Sequence, residues 1–148
     1  MNIVTTLEQY KEDYVYFLEP IKNNIINNGI FIRIIYSTSI FTLNGIYIDI
    51  CIKCNTIDKY YNKYICSFDI SKYKEIIDKV RIIEEGLINK LTVPGKTPQY
   101  KIYDQLKTGS VKVFSDAVEK INNSFLLKIA GIWETEYEYG LTYKFLMC

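Results

Sequence analysis

Between Ile46 and Lys53, isoleucine occupies every second position, with Tyr47, Asp49, Cys51 and Lys53 in the places between. A period of two is the repeat of an extended chain, whose side chains leave on alternate sides. Ile46–Cys54 therefore reads as a strand with one buried isoleucine side and one more polar side. Upstream, Ile30–Ile40 is rich in β-branched and aromatic residues, and Arg33 and Tyr36 interrupt it where a surface group could project. Phe41–Gly45 joins the two runs, and Asn44-Gly45 tolerates the left-handed angles of a tight hairpin. After the polar link Asn55–Lys63, Tyr64–Ile70 reads as a third strand.

Ser71 then reads as an N-cap for a helix over Lys72–Leu91. Its apolar stripe is Tyr73, Ile76, Ile77, Val80, Ile83, Leu87 and Leu91, and Gly86 costs its last turn ~1 kcal/mol relative to alanine. Thr92–Pro98 reads as a loop, Tyr100–Tyr103 as a short extended segment, Gly109-Ser110 as a turn and Val111–Phe114 as a strand. Ser115–Asn123 holds a helical turn. Two further apolar runs, Phe125–Trp133 and Leu141–Met147, flank the charged Glu134–Tyr139 and predict a closing hairpin, with Gly140 available for a positive φ. At the other end, Leu7, Tyr10, Tyr14, Phe17 and Leu18 recur at helical spacing behind a capping Thr6. Pro20 interrupts them, and Ile21, Ile25 and Ile26 carry an apolar face on to Asn27-Asn28-Gly29.

With 148 residues, 49% of them hydrophobic, the chain has enough material for one domain with a real core. With Val111–Phe114 taken as an embellishment, three strands, a helix and two more strands is the order of an OB-fold barrel, which places its helix between strands three and four. The expected fold is thus mainly β, with α+β content. A five-stranded OB-like barrel over 30–148 follows a helical extension over 1–29. An open-sheet α+β sandwich with the same elements is the competing architecture.

The histidine count is zero, which removes Ser-His-Asp and Cys-His nucleophile pairs and histidine–metal triads. Carboxylate chemistry remains open, and Glu134, Glu136 and Glu138 are the acids a metal-assisted nuclease could use, but the chain is read as non-enzymatic with no cofactor. Cys51-Ile-Lys-Cys54, with Cys66, has the look of half a zinc knuckle. Residues three apart on an alternating strand face opposite sides, so no metal is expected. Lys107-Thr108-Gly109-Ser110 lacks the glycine spacing of a phosphate loop. The cysteines follow no secreted disulfide pattern, no secretion signal precedes them, and no apolar run reaches the ~20 residues of a membrane span. An intracellular protein, in the cytoplasm or nucleus of a host cell and without a membrane partner, is expected.

Basic and acidic residues nearly cancel, 18 against 17, so attraction to a polyanion must come from a local patch. Aromatic residues make up 15% of the chain, including 14 tyrosines. Rings that stack on bases at ~1–3 kcal/mol each, with cations that follow phosphates, are what a sequence-tolerant single-strand binder needs. On a barrel the candidates are Arg33, Tyr36, Tyr47, Lys53, Lys101, Tyr103, Lys107, Lys112, Trp133, Tyr143 and Lys144. They would be bordered by the loops Phe41–Gly45 and Glu134–Gly140.

The segments RIIYSTSIFTLNGIYI, YKIYDQLKTGSVKVF and FLLKIAGIWETEYEYGLTYKF resemble OB-fold single-stranded DNA-binding proteins of large DNA viruses, phages and related mobile elements. Trp133, Gly140, Leu141, Tyr143 and Lys144 match the aromatic, charged turn and final strand that close the barrel in that group. The resemblance implies single-stranded DNA as ligand, a role in DNA replication and replication proteins as partners. Phage members often carry an acidic tail for recruitment. The sequence given runs only to Cys148, directly after the final strand, so recruitment through a tail is not expected and partner contacts would fall to the N-terminal helix, the long helix or the acidic turn. The alternative is a protein-interaction or virion-structural domain whose strand edges pair with further copies of itself.

Overall fold

A computed structural model describes residues 3–23, 29–61, 63–91, 93–114 and 124–147. In chain order its elements are β1 (Thr5–Thr6), β2 (Val15–Phe17), β3 (Ile21–Asn23), β4 (Gly29–Ser37), β5 (Thr42–Leu43), β6 (Ile46–Lys53), β7 (Thr56–Tyr60) and β8 (Lys63–Ser67). Helix α1 (Lys74–Lys90), β9 (Thr97–Gln99), α2 (Lys101–Leu106), β10 (Ser110–Phe114), β11 (Ser124–Glu134) and β12 (Glu138–Met147) follow.

Strand β11 organises the sheet. One edge pairs antiparallel with β12 from Phe125↔Met147 to Glu134↔Tyr139. The other edge is shared: β6 takes it from Ser124 to Ile129, and β4 takes it from Gly131 to Glu134. A bulge between Ile129 and Gly131 marks the handover. Beyond β12 the sheet runs through β10 and β8 to β7, and beyond β6 it ends at β1. β2, β3 and β5 add to β4, and β9 adds to β12. Antiparallel pairs dominate, with β1–β6, β10–β12 and β9–β12 parallel.

One side of this sheet is the core. Ile46, Ile48, Ile50 and Ile52 are buried there as their alternation predicts, with Phe125, Leu127 and Ile129 on β11, Leu141 and Phe145 on β12, and Val111 and Val113 on β10. Helix α1 covers them with Ile77, Val80, Leu87 and Ile88, and α2 adds Ile102 and Leu106. At ~1.5–3 kcal/mol per buried aliphatic or Phe side chain, this one-sided core is the main stabilising contribution.

The expected barrel does not form. Among the described residues twelve strands make one open, mixed sheet whose ends, β7 and β1, do not pair. Closure fails because β4 does not continue the sheet beside β6 but joins β11 further along the same edge. Gly131 permits this, since a Cβ there would collide with the Ile32 carbonyl oxygen and the Phe31 ring. Asn44-Gly45 accordingly makes no hairpin between β4 and β6. β4 turns back on the two-residue β5 (Tyr36↔Leu43, Ser37↔Thr42), and only Gly45 takes the positive φ, +107°.

The expected N-terminal helix is also absent among the described residues. Thr6 does cap: the Gln9 N–H donates to its hydroxyl at 3.1 Å, and its own N–H donates to Gln9 Oε1 at 3.2 Å. That reciprocal box closes one turn, a 3₁₀ turn follows at Glu12–Tyr14, and the chain then enters β2. The helical spacing of Tyr10 and Tyr14 has another cause, because both rings pack on Tyr36, with centroids at 6.0 and 5.8 Å. The readings for Ile25–Asn28 and Ser115–Asn123 lie outside the described residues.

Smaller boundaries shift as well. Ser71 does not cap α1, since its N–H and hydroxyl both donate to Asp69 Oδ1. The Asn55–Lys63 link contains β7, the expected loop at Thr92–Pro98 contains the start of β9, and Tyr100–Tyr103 is the start of α2 rather than extended. Gly140 has no positive φ. It lies within β12, where a Cβ would sit 2.9 Å from the Gln99 carbonyl oxygen and 3.0 Å from the Trp133 ring. The turn itself is held by Thr135, whose N–H donates to the Glu138 carbonyl at 2.8 Å and whose hydroxyl accepts the Glu138 N–H at 3.1 Å.

Candidate nucleic-acid interface

The second side of the sheet carries the residues that alternate with the core. Register aligns Tyr47 with Lys128 and Lys128 with Lys144. Lys112 precedes the Val113↔Phe145 pair and so stands beside Lys144 on the next strand. One step along lie Asp49, Leu126, Leu146, Phe114 and Lys63, linked by the same ladders. Lys53 pairs with Ser124 at the end. Tyr47, Ile65, Phe114, Leu126 and Leu146 are half-buried but do not belong to the core. Among the described residues no element packs over this side, and α1 and α2 bury their apolar faces on the other.

Charge is unevenly shared. Lys53, Lys63, Lys112, Lys128 and Lys144 project from this side, against Asp49 and Asp58. Asp49 is engaged, accepting the Cys51 N–H at 3.0 Å. Among the described residues none of the five lysines forms an ion pair with a carboxylate. Three of them lie against rings instead: Lys144 and Lys63 stand 5.5 and 6.0 Å from the centroid of Phe114, and Lys128 stands 5.5 Å from Tyr47. A near-neutral chain thus concentrates a positive patch where two aromatic rings are held in place by cations.

Trp133 extends the patch. It pairs with Phe31 on one neighbour and Gly140 on the other, on the same alternation as Arg33 and Thr142. Its ring rests on Gly140, and Lys101 reaches round from the start of α2 to within 4.7 Å of the ring centroid. Arg33, opposite Gly131, is exposed on this side.

Of the candidates named from sequence, Arg33, Tyr47, Lys53, Lys112, Trp133 and Lys144 share the open side, and Lys101 joins them at the rim. The other four do not. Tyr36 is 2% exposed, and its hydroxyl accepts the Lys11 N–H at 3.1 Å, so it belongs to the core. Tyr143 points to the helical side, where its hydroxyl donates to Gln105 Oε1 at 2.6 Å; burial, with the Glu84 and Asp104 charges, pushes it up to about 12. Tyr103 lies on α2 and Lys107 at its C-terminal cap, the ring flanked by Arg81 at 5.5 Å and Lys107 at 5.4 Å. Lys63, Phe114 and Lys128 were missed. Alternation within Val111–Phe114 would have shown Phe114 on the same side as Lys112, but only the ladders bring Lys63 and Lys128 to them.

The acidic turn borders the Trp133 end of the patch, where Glu138, two residues from Gly140 on β12, alternates onto the same side. Glu134 forms an ion pair with Lys96, and Glu136 and Glu138 are exposed around the Thr135 turn. The helical side has a buried carboxylate of its own. Glu84 is 1% exposed and accepts the N–H groups of Ile102 at 2.9 Å and Tyr103 at 3.0 Å, which ties α1 to the start of α2. Burial raises its pKa to about 6, against the opposing pull of those hydrogen bonds. Cys54 and Cys66 are buried with their thiols hydrogen-bonded, and burial pushes the Cys66 thiol up to about 12. Among the described residues no three His, Cys, Asp or Glu side chains come together as metal ligands, and no helix is long and apolar enough to cross a membrane.

No protein-family model, curated protein or solved structure matches this chain. Its outward sheet side, which no described element covers, carries half-buried rings beside lysines that have no carboxylate partner among the described residues.

Proposed function

We propose that the protein binds single-stranded DNA without sequence choice, through the open side of its sheet and without catalysing a reaction. The observation that carries this reading is the row Tyr47–Lys128–Lys144–Lys112, with Phe114 and Lys63 beside it, on a side no described element covers. Lysines with no carboxylate partner among the described residues supply phosphate contacts. The half-buried rings of Tyr47, Phe114 and Trp133 supply stacking that every base can use. A single strand fits better than a duplex because stacking on rings needs unpaired bases.

Anisotropy of a dye-labelled oligothymidine, titrated with the full chain from low to rising salt, tests it. Four lysine–phosphate contacts predict a slope of log affinity against log salt of about −3. The pair Lys112→Glu and Lys144→Glu should lower affinity by tenfold or more while leaving the fold intact by circular dichroism. No binding at low salt, or binding untouched by that pair, would sink the reading.

A further inference from the structure

The interface has a length as well as a composition, and we infer that it takes about four nucleotides, laid diagonally across β11, β12 and β10 with Trp133 at one end and Phe114 at the other. This rests on the reading just given. Trp133 stands opposite Gly140 of β12, and Phe114 stands opposite Leu146 of the same strand, on its other edge. Six residues along β12, at ~3.4 Å each, and two strand spacings of ~4.8 Å put the rings roughly 22 Å apart. Successive nucleotides rise ~3.4 Å along a stacked strand, and roughly twice that once the bases are pulled apart to stack on protein rings. Three intervals of that size span the distance.

Each end is built alike. Lys101 lies 4.7 Å from the Trp133 centroid, and Lys144 and Lys63 lie 5.5 and 6.0 Å from that of Phe114. A base on either ring would have a cation beside it for the adjoining phosphate. Between the ends, Lys128, Lys144 and Lys112 form a row across three neighbouring strands, ~4.8 Å apart, which the diagonal crosses two residues before Phe114. No described carboxylate interrupts this path, since Asp49 and Asp58 lie to its two sides on β6 and β7.

Oligothymidines of two, four and eight residues, titrated against the full chain by quenching of Trp133, the only tryptophan, test the length. Affinity should rise steeply from two to four. From four to eight it should grow only with the number of registers, about fivefold for a four-residue site. Phe114→Ala should weaken the four-residue ligand roughly 5- to 100-fold, the loss of one stacked base, and leave the two-residue ligand nearly unchanged on Trp133. Should Phe114→Ala fail to fold, Lys112→Ala, at an exposed position, should reduce the salt slope for the four-residue ligand by about 0.7. A hundredfold rise between four and eight residues overturns the length, as does an unchanged four-residue affinity in Phe114→Ala together with an unchanged slope in Lys112→Ala; either leaves single-strand binding standing. Absence of binding at every length overturns single-strand binding itself.

Discussion

The two sides of β11 and β12 are built from the same strands, residue by residue, and do opposite things. Phe125, Leu127 and Ile129 enter a core closed by α1, and Leu126 and Lys128, one residue away in each case, face outward beside Leu146 and Lys144. Turning a side chain through one position of the pleat changes its environment from close-packed hydrocarbon to a positively charged surface. The lesson is a division of labour: substitutions on the inner side should be felt as stability, and those on the outer side as affinity.

That contrast is broken most easily at Phe125. Phe125→Ala removes a ring in contact with Phe68 and Phe145, and should cost about 3–5 kcal/mol in urea unfolding. An equal cost from Leu126→Ala would show that the outer side is also core. Next comes Gly140→Ala, which must displace the Trp133 ring or the Gln99 backbone. A cost of about 1–3 kcal/mol is expected, with a shift in tryptophan emission as the ring lifts.

Glu84 sharpens the inner side through pH. Its folded-state pKa, about 6, lies above the ordinary 4.5, so the folded chain holds this proton more tightly than the unfolded one. The resulting stabilisation is fully present below the ordinary value and is lost as pH rises through about 6, an effect of ~2 kcal/mol. Urea midpoints across that window should fall for the wild type relative to Glu84→Gln. Parallel profiles would show that the carboxylate is not the titrating group. Last and smallest, Lys144→Glu should leave stability within ~0.5 kcal/mol in the same assay, whatever it does to binding.

The parts of this fold legible in the sequence are those set by neighbours in the chain. The Ile46–Ile52 alternation, the apolar stripe of α1 and the closing strands were all readable because periodicity records burial. What escaped depends on partners far away. α2 starts where it does because Glu84, on another helix, accepts its first N–H groups, and no local cap announces it. Tyr10 and Tyr14 recur at helical spacing because both meet one ring, Tyr36. The barrel fails at Gly131, whose missing side chain lets β4 approach β11, a contact that no pattern around Gly131 forecasts. The candidate interface was half readable for the same reason: its lysines come from β6, β8, β10, β11 and β12, and only the strand register shows which of the chain's 18 basic residues meet.

The sharing of one β11 edge between β6 and β4 also bears on how the chain reaches its fold. Both strands are synthesised long before the segment that joins them, and until Ser124–Glu134 emerges they lack their central partner. Sheet assembly must wait for the last described hairpin, so loop closure is completed late and over long sequence separations, which slows folding. During that wait the isoleucines of β6 and the apolar run of β4 are exposed together, the condition under which a nascent chain is most prone to aggregate or to need a chaperone.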